Sequence, residues 1–342
     1  MVRLALVVGL ALLPIPVLAQ VAPTPSPAPS ATAPTQASSP GPVSPEASPQ
    51  ASSAAPSPEA SPAGGFDMSK LTPQQREALQ AAIIKLSQNP VGNIATVPLI
   101  NNFNYGVGPY ARFQYNLDIQ PVIPIMLGGN WNLIARTIIP LVNNPSFAPP
   151  RVCASVNGCG STFGIGDVQE QLYFAPKTKP GALIWGAGPQ FQAPTASPGT
   201  LGAGKWSAGP ALAGVIMPGH IVAGVLLTQL WSFAGEANRP NVSLGLLEPF
   251  INYNLKGGWS IATVDIMTVD WTAPKNKWAI PLGGGVTKTF KFAEQPMQIS
   301  VQYYSYVARQ VFSPQTELKV NWVFLFPIKR GIDIPELIKE NQ

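Results

Sequence analysis

The feature that most constrains this chain is strand-length alternation, repeated many times. Near its C-terminal end, Leu318, Val320, Trp322, Phe324 and Phe326 fall on one side of an extended backbone and Lys319 and Asn321 on the other. That period of two is the pattern of a β-strand with unlike faces. Extended segments of similar length recur near Ile94–Gly106, Gln114–Met126, Trp131–Leu141, Phe163–Ala175, Ala182–Ala193, Lys205–Met217, Ile221–Phe233, Ser243–Leu255, Trp259–Val269, Trp278–Phe290, Met297–Val307 and Glu317–Phe326. Most reach the roughly 9–11 residues that a tilted strand needs to cross a bilayer.

The connections alternate between tight and long. Leu127–Asn130, Pro218-Gly219 and Lys256–Gly258 read as hairpin turns. Between them lie longer stretches such as "NNPSFAPPRVCASVNGCGS", "PTASPGTLGAG" and "GEANRPN". Sorting of this kind is characteristic of outer-membrane barrels, which carry short periplasmic turns and longer external loops. Tryptophan placement agrees. Trp131 and Trp259 fall at segment ends on the tight-turn side, and Trp206, Trp231, Trp271 and Trp278 at the other, as interfacial belts require. The long apolar run "GPALAGVIMPGHIVAGVLLTQLWSFAG" is split at Pro218-Gly219-His220 into pieces too short to cross as helices.

Composition fits a chain with little aqueous surface. Charged residues make up 11% of the 342, and hydrophobic ones 46%; an ordinary soluble domain carries about 25% charge. A net charge of +5 without a dense basic block gives no reason to expect nucleic acid.

Residues 1–19 have the layout of a cleaved secretory signal: Arg3, an apolar run from Leu4 to Leu13, and small residues up to Ala19. Residues 20–66 are a Pro/Ala/Ser-rich linker with too little apolar surface to offset ordering, so disorder is expected. Residues 67–90 hold one short amphipathic helix, with Thr72 as N-cap, Pro73 and Gln75 completing its start, and Leu79, Ala82, Ile83 and Leu86 as its stripe. The stripe needs a partner. It could pack on the following domain, plug it, or bind another protein. Residues 91–327 form the barrel, and residues 328–342 a periplasmic tail. In an exported chain, Cys153 and Cys159 are expected to close a local disulfide, since two thiols alone do not make a zinc site.

Catalytic chemistry has little to stand on. His220 is the sole histidine and sits in a turn, so an interfacial lipid hydrolase would rest on it alone. The glycines Gly283–Gly285 before Lys288 lack the spacing of a phosphate loop and read as close packing in a strand. No catalytic residue, cofactor or metal is expected. The remaining polar residues suit a lumen: Asp118, Gln120, Asn132, Arg136, Gln169, Gln171, Glu248, Asn252, Lys288, Gln298, Gln302 and Lys319. Pairing among themselves and contact with a solute are both open roles for them.

The stretches "NPVGNIATVPLINNFNYGVGPY", "LDIQPVIPIML", "WNLIARTIIPL", "STFGIGDVQEQLYFAP", "LIWGAGPQFQAPTAS", "LGAGKWSAGPALA", "PFINYNL" and "WAIPLGGGVTKTFK" resemble a family of proteobacterial outer-membrane proteins labelled transporters, some mislabelled neuromedin U. That family is itself similar to the phenol meta-pathway barrel proteins. The resemblance spans roughly residues 89–327 and implies a barrel that passes small, hydrophobic or aromatic solutes. It carries over no site residues. The fold expected is an all-β membrane protein, an antiparallel up-and-down barrel of about twelve strands in the Gram-negative outer membrane. Its partners would be outer-membrane lipid, the barrel-assembly machinery and a small-molecule solute, with the barrel a monomer. The alternative is a structural protein whose tether and helix contact periplasmic partners or the cell wall.

Overall fold

A computed structural model describes residues 72–92, 94–155, 160–177, 182–263, 265–293 and 295–327. The signal sequence, the linker, the tail after Pro327 and the Cys153–Cys159 pair lie outside the described residues, as does the side chain of Ile83.

The strands are β1 (Ile94–Val107), β2 (Arg112–Ile119), β3 (Val122–Gly128), β4 (Trp131–Pro145), β5 (Ser161–Ile165), β6 (Gln169–Pro176), β7 (Ile184–Gln192), β8 (Lys205–Ile216), β9 (Ile221–Gly235), β10 (Ser243–Asn254), β11 (Trp259–Thr263), β12 (Met267–Asp270), β13 (Trp278–Phe292), β14 (Gln295–Ala308) and β15 (Thr316–Pro327). All pairings are antiparallel, and β1 pairs with β15 from Ile94↔Pro327 to Tyr105↔Thr316, which closes the sheet on itself. Three passes are interrupted (β2 with β3, β5 with β6, β11 with β12), so the fifteen strands make a twelve-pass barrel. Closure pairs every strand and leaves no edge, which a bilayer demands.

The interruptions have local causes. Pro121, between β2 and β3, has no N–H for the ladder; the wall is bridged there by Gln120 N donating to Pro98 O (3.0 Å) and Thr137 N to Pro121 O (3.1 Å). Asp167, between β5 and β6, accepts from Ala203 N (2.6 Å) and Ala196 N (3.2 Å), which folds the outer stretch 193–204 against the wall.

Burial alternates along each pass. In β4 every second residue from Asn132 to Asn144 is buried, and those between face out. All eight tryptophans are on the outward face, each at least 40% exposed, and Trp131–Trp185 and Trp271–Trp278 make edge-on pairs. Four tight turns fall on one side, Gly128-Gly129, Pro218–His220, Lys256–Gly258 and Ala293, the last with a positive φ of 44°, and the other side has a tight turn of its own at Gly108–Ala111 between β1 and β2. Loops on the other side are pinned together. Phe147 meets Phe312 edge-on with ring centroids 4.8 Å apart, and the Arg112 guanidinium donates to the carbonyls of Ser146 and Ala148.

Among the described residues one helix precedes the barrel, α1 (Pro73–Ser87), and a short one, α2 (Pro150–Ser155), lies in the outer loops. The capping box at the start of α1 forms in both directions, Gln75 N to Thr72 Oγ1 (3.2 Å) and Thr72 N to Gln75 Oε1 (3.0 Å). The N-terminal turn is exposed, whereas Ala78, Leu79, Ala82, Ile84, Ser87 and Gln88 are buried. At about 100° per residue those six positions run round most of the helix circumference. A helix resting on a surface buries one stripe, so the inner half of α1 is enclosed by the barrel. Its end is fastened there. Gln88 and Asn254 of β10 exchange amide hydrogen bonds (2.6 and 3.0 Å), and Gln298 of β14 donates to Ser87 Oγ (3.3 Å). Of the three places the sequence leaves open for the stripe, the structure shows the plug.

Candidate functional site

The lumen is the concave, polar interior that this fold builds, and its side chains follow from strand parity. Eleven of the residues expected to point inward are buried: Asp118, Gln120, Asn132, Arg136, Gln169, Gln171, Glu248, Asn252, Gln298, Gln302 and Lys319. Lys288 is a correction. Along β13 the buried residues are Ala279, Pro281, Thr287 and Thr289, while Lys288 shares the outward face with Val286. It pairs with Trp259, lays its Nζ 4.7 Å from that ring and donates to Gly257 O (2.8 Å). A long cationic side chain at a strand end reaches the interface in this way. The glycines before it mislead, because they give no alternation to read. Their own reason is close packing. A Cβ on Gly283 or Gly285 would lie 2.0 Å from the carbonyl oxygen of Tyr303 or Val301 on β14.

The centre of the lumen is an ionic and amide network. Lys319 Nζ lies 2.5 Å from Asp265 and 3.3 Å from Glu317, and 5.1 Å from the Tyr304 ring. Tyr306 donates to Glu317 (2.9 Å). Across the barrel Arg136 donates to Gln120 (2.8 Å) and Gln171 (3.2 Å), and Tyr173 OH to Gln171 (3.0 Å). Asn102 donates to Asp118 (3.1 Å), and Gln114 links Asn104 and Asn144. Further out, Gln169, Gln190 and Gln192 chain to Asp167.

Several of these residues are absent from the sequence expectation. Glu317, Asn102, Asn104 and Gln114 share parity with Lys319, Asn116 and Asp118, and counting by twos finds them. Asp265 resists that count. Ser260 and Ala262 of β11 are buried on even numbers, β12 buries both Thr268 and Val269, and Asp265 in the break between the two strands is buried on an odd one.

The wall divides by chemistry. On β14, β15, β1 and β2 the inward residues are mostly amides, hydroxyls and charges. On β8, β9 and β10 they include Ala211, Val215, Val222, Leu226, Leu246 and Phe250, one apolar cluster that continues to Tyr173, Ile134 and Val91. His220 is exposed in its turn, with its ring 6.1 Å from Tyr253 and its carbonyl accepting from Asn254 N (2.8 Å).

No family model and no curated protein matches the sequence. Solved structures do match in shape. An outer membrane channel from Pseudomonas putida F1 superposes with a TM-score of 0.52 at 16% identity, over 68% of this chain and 95% of that one. The NanC porin follows at 0.43 and 9%, over 68% and 100%. The outer membrane phospholipase A of Escherichia coli gives 0.37 and 12%, over 69% and 92%. At such identities the first likeness shows the architecture alone: this chain folds as a closed antiparallel β-barrel, as that outer membrane channel does.

Proposed function

We propose that the protein is an outer-membrane channel for small amphiphilic solutes, hydrophobic or aromatic on one side. One observation carries this reading: the two-sided lumen. A water-filled pore needs polar walls all round, and a barrel sealed for strength packs side chains of one kind. Here an apolar cluster from β8, β9 and β10, with Glu248 and Asn252 set into its β10 row, faces amides and charges on β14, β15, β1 and β2. A solute with a ring and a polar head matches both arcs at once. Twelve passes lie between the roughly eight-stranded barrels filled by side chains and the sixteen-stranded porins. With α1 enclosed, the described state is closed at the periplasmic end. The channel reading therefore includes withdrawal of α1.

The test uses proteoliposomes. Phenyl glucoside, amphiphilic and slow to cross lipid unaided, is expected to enter vesicles holding the full chain faster than sucrose does. Deleting residues 72–88 is expected to raise the phenyl glucoside rate. Background rates for both solutes, with and without the helix, would sink the reading and leave a structural barrel in its place.

A further inference from the structure

The mid-lumen holds more carboxyl groups than bases. Asp118, Glu248, Asp265 and Glu317 face Arg136 and Lys319, four carboxylates against two bases among the described residues. Lys205 and Asp167, one of each sign, stand nearer the outer rim. Asp265 and Glu317 share Lys319. Glu248 is 2% exposed, and its Oε1 has no hydrogen-bond partner among the described residues. On the same inward face of β10, Asn252 is fully buried with both amide atoms unpartnered. Buried groups of this kind are unfavourable when unsatisfied, and a carboxylate more so. Such a cost persists where a ligand is to be met.

Phe250 lies between those two residues on the same face, about 7 Å of strand from each at ~3.3 Å per residue. It belongs to the apolar cluster that includes Tyr173 and Val91. Val91 follows α1, and Gln88 at the helix end holds Asn254, the next inward residue of β10. The helix end thus reaches the turn end of this row at Asn254, and Val91 just after it packs in the cluster that holds Phe250.

We propose that this row is the lumen's recognition site and that it takes an organic ammonium ion, Glu248 supplying the counter-charge and Phe250 and Tyr173 the aromatic faces. The carboxylate favours a cation, and aromatic rings favour a cation that carries hydrocarbon over a hydrated metal ion. The inference rests on the channel reading and names its solute class.

Permanently charged aromatics test it, because they do not cross lipid unaided. In proteoliposomes holding the full chain, phenyltrimethylammonium is expected to enter about tenfold faster than benzenesulfonate, the low end of what a single-signed cleft achieves. Glu248→Gln should move that ratio toward one, and Lys288→Gln, outside the lumen, should not. If Glu248→Gln fails to assemble, Asp118→Asn is the second variant, and it too should lower the ratio. Passage of phenyl glucoside with equal rates for the two ions, or a ratio indifferent to both lumen variants, overturns the ammonium site and leaves the channel. If none of the three solutes passes, the channel reading fails and this one with it.

Discussion

Lys319 is the residue on which most of the lumen's charge balance turns. It contacts two buried carboxylates and one ring, and its own strand supplies one of those carboxylates, Glu317. A buried ion pair is weak evidence for stability in itself, but removing one partner strands the other. Lys319→Met is therefore expected to cost about 3–5 kcal/mol in urea unfolding from lipid vesicles. Adding Asp265→Asn should recover part of that loss, and a double variant no better than the single would show that the pair is not what holds them. At the same scale, Glu170 sits on the outward face of β6, with Thr137 Oγ1 donating to it at 2.6 Å. It lies six residues above the Trp131↔Pro176 pair, deep in the wall. Glu170→Leu is expected to stabilise the barrel by about 1 kcal/mol in the same assay, since charge on the lipid face is unfavourable. Solute flux should be unchanged.

Among the elements, the β13–β14 hairpin has a long ladder, paired from Ile280↔Ala308 to Phe292↔Gln295 with one bulge after Ile280. Its close approach at Gly283 and Gly285 leaves no room for a side chain. Gly285→Val should push the two strands apart and cost several kcal/mol, on the scale of overpacking a core. The check is gel mobility without boiling, where a folded barrel runs ahead of the unfolded chain. A variant that runs as folded and unfolds at the wild-type urea concentration would refute the packing account. Helix α1 shows the opposite economy. Its start is read from Thr72, Pro73 and Gln75, yet it is too short to be stable alone. Its stability comes from enclosure, through Leu79, Ala82 and the Gln88–Asn254 exchange.

For the molecule as a whole, closure is complete within the described residues, since β1 and β15 pair along their lengths. Truncation after Pro327 is therefore expected to leave a barrel that assembles and runs as folded before heating. Failure to assemble would assign the tail a part in folding. The wall as a cylinder has two chemistries outside and two inside. Lipid meets leucine, valine and phenylalanine between rows of tryptophan, and the interior splits into a polar and an apolar arc.

Strand number, the sidedness of the turns, the tryptophan rows and the cap of α1 were legible in the amino-acid order, because each is local. Period two, turn chemistry and capping act over a few residues. Eleven of the twelve proposed inward residues follow from the same parity. What the order could not decide is whatever depends on which strand lies opposite which. The lodging of α1 in the barrel mouth needs Asn254, 166 positions away from Gln88. Asp265 turns inward only because a strand breaks, and Lys288 turns outward beside a tryptophan that precedes it by a whole hairpin. The two-sided lumen is of the same kind. No strand shows it alone, and it exists only once twelve passes close and place β8, β9 and β10 across from β15, β1 and β2.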